Sequence, residues 1–227
     1  MIVSIHQPNY FPWLGYFYKI FQSDTFVFLD DVQFSNEGMH NYHYIKTSQG
    51  SLRLKIPVEQ HLGDHILNVT TKDFLGWKEK HLKTIESNYK KAAFFNSVFD
   101  DYQLLIMQNY SSVSEMNISI ISFIMSKFGI KTEFIKSSEL GITSSKEDKV
   151  LDICNTLNAT VYFSGIGAKA YQDENDFINR GVELRYSTFK PFEYSQLWGD
   201  FQSNVTVLDY LMNCGYDWQK VLDHQNL

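Results

Sequence analysis

The sequence is poor in cysteine, and the two that occur lie far apart. Cys154 and Cys214 each stand alone among helix-forming residues, with no CxxC pair. Neither a disulfide framework nor a thiolate zinc site is indicated by this spacing. We therefore expect both side chains to be reduced and buried, as is typical of a cytoplasmic protein.

Long hydrophobic runs are also missing. A membrane-spanning helix needs about 18 or more consecutive apolar residues, and the most apolar region, 118–128, is interrupted by Ser119, Ser122 and Ser126. The first eight residues contain no basic leader followed by an apolar run, so a signal peptide is not predicted. These absences predict a cytoplasmic protein without a membrane span.

Basic residues are outnumbered, 20 against 26 acidic ones, which gives a net charge of −6. A protein that coats DNA or RNA needs a dense lysine and arginine surface, so DNA is not an expected partner. One local basic run leaves RNA contact open through an aminoacyl-tRNA donor, although such lysines are more typical of a solvated helix face. The run comprises Lys78, Lys80, Lys83, Lys90 and Lys91.

Aromatic residues, in contrast, make up 16% of the chain, with 18 Phe, 14 Tyr and 4 Trp. Two explanations remain open at this point. Phenylalanine can fill a large core, whereas tyrosine and tryptophan, which combine a flat apolar face with a polar tip, suit the walls of a binding cleft.

The first 31 residues predict a βαβ unit. Residues 2–5 form a short β-branched run, residues 14–21 have helical spacing after Pro12, and residues 25–29 form a second buried run. Strands joined in this way pair in parallel, and ligands bind beyond their carboxyl ends.

The rest of the chain alternates helices and strands. Residues 75–89, 95–107 and 113–128 predict three consecutive helices, a helical subregion over about 75–128. Further strands are predicted at 51–58, 66–69, 131–135, 160–163 and 182–186, and further helices at 146–157 and 205–212, the last capped by Asn204. The pattern predicts a single α/β domain over 1–227, with a Rossmann-like parallel sheet flanked by helices and an inserted helical layer.

The first candidate site follows the first strand. A loop that only closes a turn does not need His6, Gln7, Tyr10, Trp13 and Tyr16 together with two prolines. Fixed backbone angles at the prolines and flat aromatic faces suit the binding of a planar group such as a base or a sugar ring. A hydrophobic plug beneath a helix is the structural alternative.

The second candidate follows the second predicted strand, at Asp30, Asp31 and Gln33. Adjacent strand residues point to opposite faces, so one of the two carboxylates is expected to face the site. It would act as a general base or hold Mg²⁺ through water, and Gln33 is expected to contact substrate. An ordinary turn is the alternative.

Two histidines, an asparagine and a lysine form the third candidate: His40, Asn41, His43 and Lys46. A helix would place His40, His43 and Lys46 on one face, whereas an extended segment would separate them. With no third or fourth ligand nearby, a metal site is not predicted. We expect His43 to carry a proton, and Lys46 with Asn41 to contact phosphate.

The last candidates lie in the second half of the chain. Ser164 and Gly165 end a predicted strand, where small residues let backbone amides approach phosphate, although an ordinary strand-to-helix turn is the better explanation of so short a motif. Tyr194 and Gln196 are expected to contact substrate. Asp209 is either a buried orienting carboxylate or a solvated residue.

Together these segments resemble the WbqC-like family. The opening motif, Gln-Pro-x-Tyr-x-Pro-Trp-x-Gly-Tyr-Phe, is specific, and matching elements extend over nearly the whole chain. They are Gln7 to Phe17, Asp24 to Phe34, Asn41 to Lys46, Pro57-Val58, Trp77 with His81, Ser164-Gly165, Tyr194 to Gln196, and Asp209 to Leu211. Met39 and Tyr42 stand where the family usually shows tryptophan and arginine; if that arginine contacts a phosphate or carboxylate, the ligand of this chain differs.

The resemblance implies a role in bacterial surface polysaccharide (O-antigen, lipopolysaccharide) synthesis, because members are often encoded among genes for these pathways. It thus implies a nucleotide-linked sugar as substrate. The opening also resembles the layout of pantothenate synthetase-like amide ligases, but without their histidine-glycine-histidine signature, so the comparison locates a pocket and is weak evidence for adenylation.

Our hypothesis is N-acyl or aminoacyl transfer to a nucleotide-linked amino sugar, with an activated acyl donor or Mg²⁺ as the candidate cofactors. Tyr10, Trp13 and Tyr16 would shape the pocket, and Asp30, Asp31 or His6 would take the amine proton. The alternatives are a glycosyltransferase or other sugar-modifying transferase with metal at Asp30-Asp31, and a non-catalytic nucleotide-sugar-binding accessory protein.

Overall fold

The computed structural model describes residues 1–170 and 172–227, and a five-stranded sheet lies at its centre. Strands of the described chain are Ile2–His6 (β1), Thr25–Phe28 (β2), Tyr42–Thr47 (β3), Gly50–Lys55 (β4), Val58–Glu59 (β5), Thr70–Thr71 (β6), Glu133–Lys136 (β7), Val161–Ser164 (β8) and Glu183–Tyr186 (β9). Its α-helices are Leu14–Phe21 (α1), Trp77–Tyr89 (α2), Phe95–Met107 (α3), Val113–Phe128 (α4), Lys146–Thr156 (α5), Glu174–Asn179 (α6), Val207–Cys214 (α7) and Trp218–His224 (α8).

The central sheet is parallel throughout, with the order β7-β2-β1-β8-β9. β1 pairs with β2 on one side, Val3 opposite Thr25, and with β8 on the other, Ile2 opposite Val161. Strand order therefore reverses between β1 and β8. In an open parallel sheet such a switch point leaves a crevice beyond the carboxyl ends of the two strands.

Both faces of the sheet are covered. Phe26 and Phe28 of β2 join a large core that includes side chains of α1, α2, α3, α4 and α7. Val27, between them, joins Val3 and Ile5 in a second core with α5 and α6. This alternation is what a strand buried on both faces requires, and it confirms the predicted α/β class with helices flanking a parallel sheet.

The inserted helical layer is also confirmed. α3 and α4 have the predicted bounds, and α2 begins at Trp77. The Ser112 side chain accepts a hydrogen bond from Glu115 N at 3.1 Å at the start of α4, and Gly129 ends that helix with a φ of 72°. A serine cap and a left-handed glycine are standard helix boundaries, which explains why the sequence places this helix well.

Three local predictions are wrong. Residues 66–69 do not form a strand, because Ile66–Asn68 is a 3-10 helix; a short apolar run has no decisive period. The late helix begins at Val207, and its cap is Thr206, whose hydroxyl accepts from Leu208 N, not Asn204. Cys214 is half-buried, although both cysteines are free as expected.

The lysine run on α2 is not a uniform solvated face. Lys78 is buried and forms an ion pair with Asp73 at 2.7 Å, and it also donates to the Gln108 carbonyl. The positive charge of Lys78 is therefore compensated within the protein by Asp73. Among the described helices, none combines the length and the apolar character needed to cross a bilayer.

Candidate functional site: an aromatic cleft at the switch point

A cleft of about 1210 Å³ opens at the carboxyl edge of the sheet. Its lining includes residues that end or follow four neighbouring strands: His6 of β1, Leu29 after β2, Gly165 after β8 and Ser187 after β9. The cleft thus occupies the switch point between β1 and β8. This position is where the parallel fold predicts a ligand site.

A long irregular segment, residues 187–206 between β9 and α7, forms one wall of the cleft; we call it the roof segment. It contributes Phe189, Phe192, Tyr194 and Phe201, and Trp13 and Tyr16 line the cleft from α1 and the residue before it. Irregular segments of this length in compact proteins usually cover functional sites. Both explanations of the high aromatic content therefore apply: aromatic side chains line the cleft, and phenylalanines also fill the core.

His6 is held in one tautomer. Its Nδ1 lies 3.0 Å from the Gln7 carbonyl, which also accepts from the Tyr16 hydroxyl at 3.0 Å. Because a carbonyl only accepts, Nδ1 carries the proton and Nε2 keeps its lone pair. Burial, followed by the positive charge of Lys19, lowers the pKa of His6 to about 3. His6 is therefore a neutral hydrogen-bond acceptor at physiological pH.

Lys19 was not among the predicted site residues. It lines the cleft with a side chain that is nearly enclosed, 4% exposed, and its Nζ donates to the Ile5 carbonyl at 2.7 Å. Burial lowers its pKa to about 7. A signal was available, since Lys19 is the only charged residue in α1 and every other residue of that helix is apolar, aromatic or glycine.

Six predicted residues come together in the lining of the cleft: His6, Gln7, Trp13, Tyr16, Gly165 and Tyr194. Ser164 lies just behind them, buried, and its hydroxyl donates to Gln172 Oε1 at 2.9 Å. Gln172 itself lines the cleft. The opening motif and the end of β8 thus meet at the switch point as parallel pairing requires.

Tyr10 and His43 lie behind the cleft wall and do not line it. Tyr10 is fully buried, with its hydroxyl 3.3 Å from His81 Nδ1 and its ring centroid 4.8 Å from that of His43. His43 is also fully buried, and within the described chain neither of its ring nitrogens has a hydrogen-bond partner. Burial lowers the pKa of His43 well below its usual range, so the ring is neutral.

The segment around residues 40–46 is extended, so it separates His40, His43 and Lys46 as a strand does. Asn41 donates from Nδ2 to the Ile56 carbonyl at 2.8 Å. The Lys46 ammonium donates to the roof-segment carbonyls of Gly199 at 3.0 Å and Asp200 at 2.5 Å. The side chains of Asn41 and Lys46 are thus both buried, and both donate hydrogen bonds to backbone carbonyls.

Gln196 and Tyr194 meet a buried carboxylate, Asp209 of α7. Tyr194 Oη and Gln196 Nε2 each donate to Asp209 Oδ1 at 2.9 Å, and Tyr89 Oη donates to Oδ2 at 2.8 Å. Burial raises the pKa of Asp209, and these three donors oppose that shift. Of the two alternatives that the sequence leaves open for Asp209, the structure shows the buried carboxylate, and it anchors the roof segment.

Asp30 and Asp31 lie outside the cleft lining, and both are already bonded. Asp30 accepts from Ser138 N at 3.0 Å and Ser138 Oγ at 2.8 Å. Asp31 pairs with Lys149 at 2.8 Å and accepts from Ser137 Oγ. Because Lys149 is 118 residues away, the sequence gives no sign of this pairing.

Gln33 is exposed and pairs through its backbone with His65 in an isolated bridge. In residues 1–170 and 172–227, no three His, Cys, Asp or Glu side chains are grouped so that they could hold a metal ion.

Three non-glycine residues that line the cleft have strained backbone conformations. Phe11, Met39 and Lys146 have left-handed φ angles of 42°, 57° and 56°, and all three line the cleft. Non-glycine residues rarely adopt this region, and the cost is of order 1–3 kcal/mol each. Such strain is concentrated at ligand sites in many proteins, which agrees with the position of the cleft.

Comparison with known proteins supports a family assignment. The WbqC-like protein family model matches residues 7–221. The uncharacterized protein Rv1507c of Mycobacterium tuberculosis (strain ATCC 25618 / H37Rv) is 32% identical over 216 residues, which cover 94% of this chain and 94% of that protein. No solved structure matches the chain. With its switch-point cleft built from the opening motif, this chain belongs to the WbqC-like protein family.

Proposed function

We propose that this protein transfers an acyl or aminoacyl group to the amine of a nucleotide-linked amino sugar in surface polysaccharide synthesis, forming an amide. The observation that carries the proposal is a neutral, tautomer-fixed His6 at the switch point of a large aromatic cleft. A single accessible lone pair beside flat aromatic walls suits the orientation of a sugar amine for attack.

The size of the cleft supports a reaction between two substrates. Small-molecule sites usually measure about 300–1,000 Å³, and this one measures about 1210 Å³. Its lining extends from the strand ends at His6 to Tyr44 of β3 and Thr206 at the start of α7. A donor and a nucleotide-linked acceptor therefore have room side by side.

In the proposed reaction the sugar amine attacks the acyl carbonyl carbon of the donor. As the new C–N bond forms, His6 Nε2 accepts a hydrogen bond from the attacking amine and so orients its lone pair toward the acyl carbon. The bond between the acyl carbon and its leaving group breaks, and the amine proton passes to the departing group, while His6 stays neutral. The Gln7 carbonyl keeps the imidazole oriented throughout by accepting from Nδ1.

The two alternatives have weaker support. A metal-dependent glycosyltransferase would need Asp30 and Asp31 free to bind a cation, yet Ser137, Ser138 and Lys149 occupy them. Chelator-sensitive turnover would favour this alternative. An accessory protein would bind the nucleotide sugar and give no product with any donor.

The test is single-turnover product formation with nucleotide-linked amino sugars and acyl-coenzyme A or aminoacyl-tRNA donors, monitored by mass spectrometry. We expect H6N to bind the acceptor, yet to lower turnover by about 10- to 100-fold, the loss expected when an orienting hydrogen bond is removed. The matched control is H61N, in an exposed loop. Amide formation at the same rate in H6N would refute the role of His6, and no amide with any donor would refute the proposed reaction.

A further inference from the structure

We infer that Lys19 forms an anion subsite at the end of β1, and that this subsite binds the diphosphate of the nucleotide that carries the sugar. The choice of a nucleotide diphosphate depends on the proposed function. The anion subsite itself follows from the surroundings of Lys19 alone.

Lys19 is a buried amine without a carboxylate counterion among the described residues. Its ammonium contacts the Ile5 carbonyl, and no carboxylate of the described chain forms an ion pair with it. By comparison Lys149, also buried, pairs with Asp31 at 2.8 Å. An ammonium removed from water is costly unless an opposite charge compensates it. The surroundings of Lys19 therefore lack one negative charge.

The cleft supplies few negative charges of its own. Glu147 is the single carboxylate among its described lining residues, against the lysines Lys19 and Lys146. Glu147 Oε1 also accepts a hydrogen bond from Asp173 N at 3.3 Å. Although the chain carries a net charge of −6, the cleft is thus locally suited to an anion.

Anion binding at Lys19 is coupled to proton uptake. With its pKa lowered to about 7, Lys19 is mostly neutral at pH 8 in the empty protein. A bound diphosphate favours the ammonium, so binding takes up a proton. The other titratable groups of the cleft are His6 on β1, Lys146 and Glu147 on α5, and tyrosines on α1, β3, β8 and the roof segment. Glu147, the single carboxylate among these described groups, forms no ion pair with Lys19.

The sign of the pH dependence follows. Below pH 7 Lys19 is already protonated, so affinity for the diphosphate is highest there. Above pH 7 each further unit adds the cost of protonating Lys19, and affinity falls by about tenfold per pH unit. A site made from an exposed lysine would keep its affinity up to about pH 10.

The measurement is isothermal titration calorimetry of the full chain at pH 8, in two buffers of different ionisation enthalpy. The probes are UDP, dTDP, GDP and inorganic pyrophosphate. We expect uptake of about 0.9 proton per bound nucleotide, the neutral fraction of a group with a pKa near 7. Pyrophosphate, which itself carries a proton at pH 8, tests affinity alone. Nucleotide binding without net proton uptake, or no binding of any of the four probes, would overturn the inference.

Variants test whether Lys19 is the group responsible. K19M should weaken binding by about 100-fold, a loss typical of a charge-assisted contact. K19R should bind without proton uptake, because arginine stays charged. The control K83M, on the exposed face of α2 and outside the cleft lining, should leave both the affinity and the proton uptake unchanged. Circular dichroism verifies that each variant is folded. If a variant is not folded, the proton uptake measured with the wild-type protein remains the test of the inference.

Unchanged affinity in folded K19M would overturn the inference. The inference and the proposed function fail separately. If UDP binds with proton uptake and no donor gives an amide product, the anion subsite is supported and the proposed transferase reaction is refuted. If amide forms but nucleotide binding is not coupled to proton uptake, the transferase reaction is supported and the subsite is refuted.

Discussion

Lys149 is a buried side chain whose positive charge is compensated by Asp31, 2.8 Å away. In D31N the ammonium would remain buried without its partner, which typically destabilises a protein by about 3–5 kcal/mol. We expect urea denaturation to show a loss of that order, with binding of nucleotide probes unchanged because Asp31 lies outside the cleft lining. The exposed pair of Arg180 and Asp152 gives the control D152N, with an expected loss of less than about 1 kcal/mol.

Gly15 is a second position where one atom matters. An added Cβ would lie 2.7 Å from Trp13 Nε1 and 2.9 Å from Phe189 Cδ1. Alanine usually gains about 1 kcal/mol over glycine within a helix, but here it must displace two aromatic walls of the cleft. We predict that G15A lowers nucleotide affinity at least tenfold by calorimetry. G167A has no neighbour within 4 Å of its Cβ and is the control; equal affinity in both variants would contradict this packing.

Single residues differ in how far the sequence alone predicts their position. His6, Trp13 and Tyr16 lie in one contiguous motif after a strand, so their position at the sheet edge follows from parallel pairing. From the sequence alone Asp31 is a catalytic candidate, because its ion-pair partner, Lys149, is 118 residues away and no local pattern reveals the pairing. Lys19 could have been found, since a lone charge in an apolar helix needs a reason to be buried.

The roof segment has no helix or strand of its own, and its order depends on Asp209. Y194F and Y89F each remove one hydroxyl donor to that carboxylate. Each should lower global stability by about 1–3 kcal/mol, the cost of leaving a buried acceptor short of a donor. Tyr194 lies in the roof segment and Tyr89 in α2, so the local effects should differ.

Hydrogen exchange measured by mass spectrometry separates the two variants. We expect Y194F to accelerate exchange across 187–206 more than Y89F does, because Tyr194, unlike Tyr89, lies in this segment and bonds it directly to Asp209 of α7. Equal exchange of the segment in both would show that Asp209 does not hold the roof through Tyr194.

Elements with a clear period and clear boundaries are predictable from this sequence. The bounds of α1, α3 and α4 coincide with the prediction, and α4 has both a serine cap and a terminal glycine. β3 remained ambiguous, since His40, His43 and Lys46 fit a helical spacing as well as a strand. Its pairing with β4, Tyr42 opposite Lys55, decided the outcome, and pairing partners are not encoded in a local pattern.

At the scale of the whole molecule, neutral histidines are buried between the opening loop, β3 and α2. Burial lowers the pKa values of His40 and His81 to about 4, and it also lowers that of His43 well below its usual range. In the unfolded chain these histidines have a pKa near 6.5, so they bind protons that they do not bind in the folded protein. Stability therefore falls as pH decreases below about 6.5 and continues to fall toward 4.

We predict a loss of roughly 5 kcal/mol between pH 7 and 5.5 from these three histidines and His6, whose pKa is lowered to about 3, with about 1.2 kcal/mol from each. Urea titrations at several pH values measure it. In H43F, which replaces a ring without hydrogen-bond partners among the described residues, the pH slope should lessen by about one quarter while stability at pH 7 is kept. A slope identical to wild type would mean that His43 takes up its proton in the folded state.

We also predict that the chain unfolds as one cooperative domain. The larger core joins side chains of the sheet and of the helical layer in one cluster. Fluorescence and circular dichroism should therefore give coincident urea transitions, whereas two separate transitions would indicate independent units.

The position of β1 affects how the chain folds. β1 is the middle strand, and one of its neighbours, β8, is about 160 residues later in the sequence. During synthesis β1 and β2 emerge close together, and one edge of β1 stays unpaired until about 160 further residues have been made. Non-local pairing of this kind slows folding and exposes an apolar strand edge. Rapid chaperone engagement of the nascent amino-terminal segment is therefore the expected consequence of placing the first strand at the centre of the sheet.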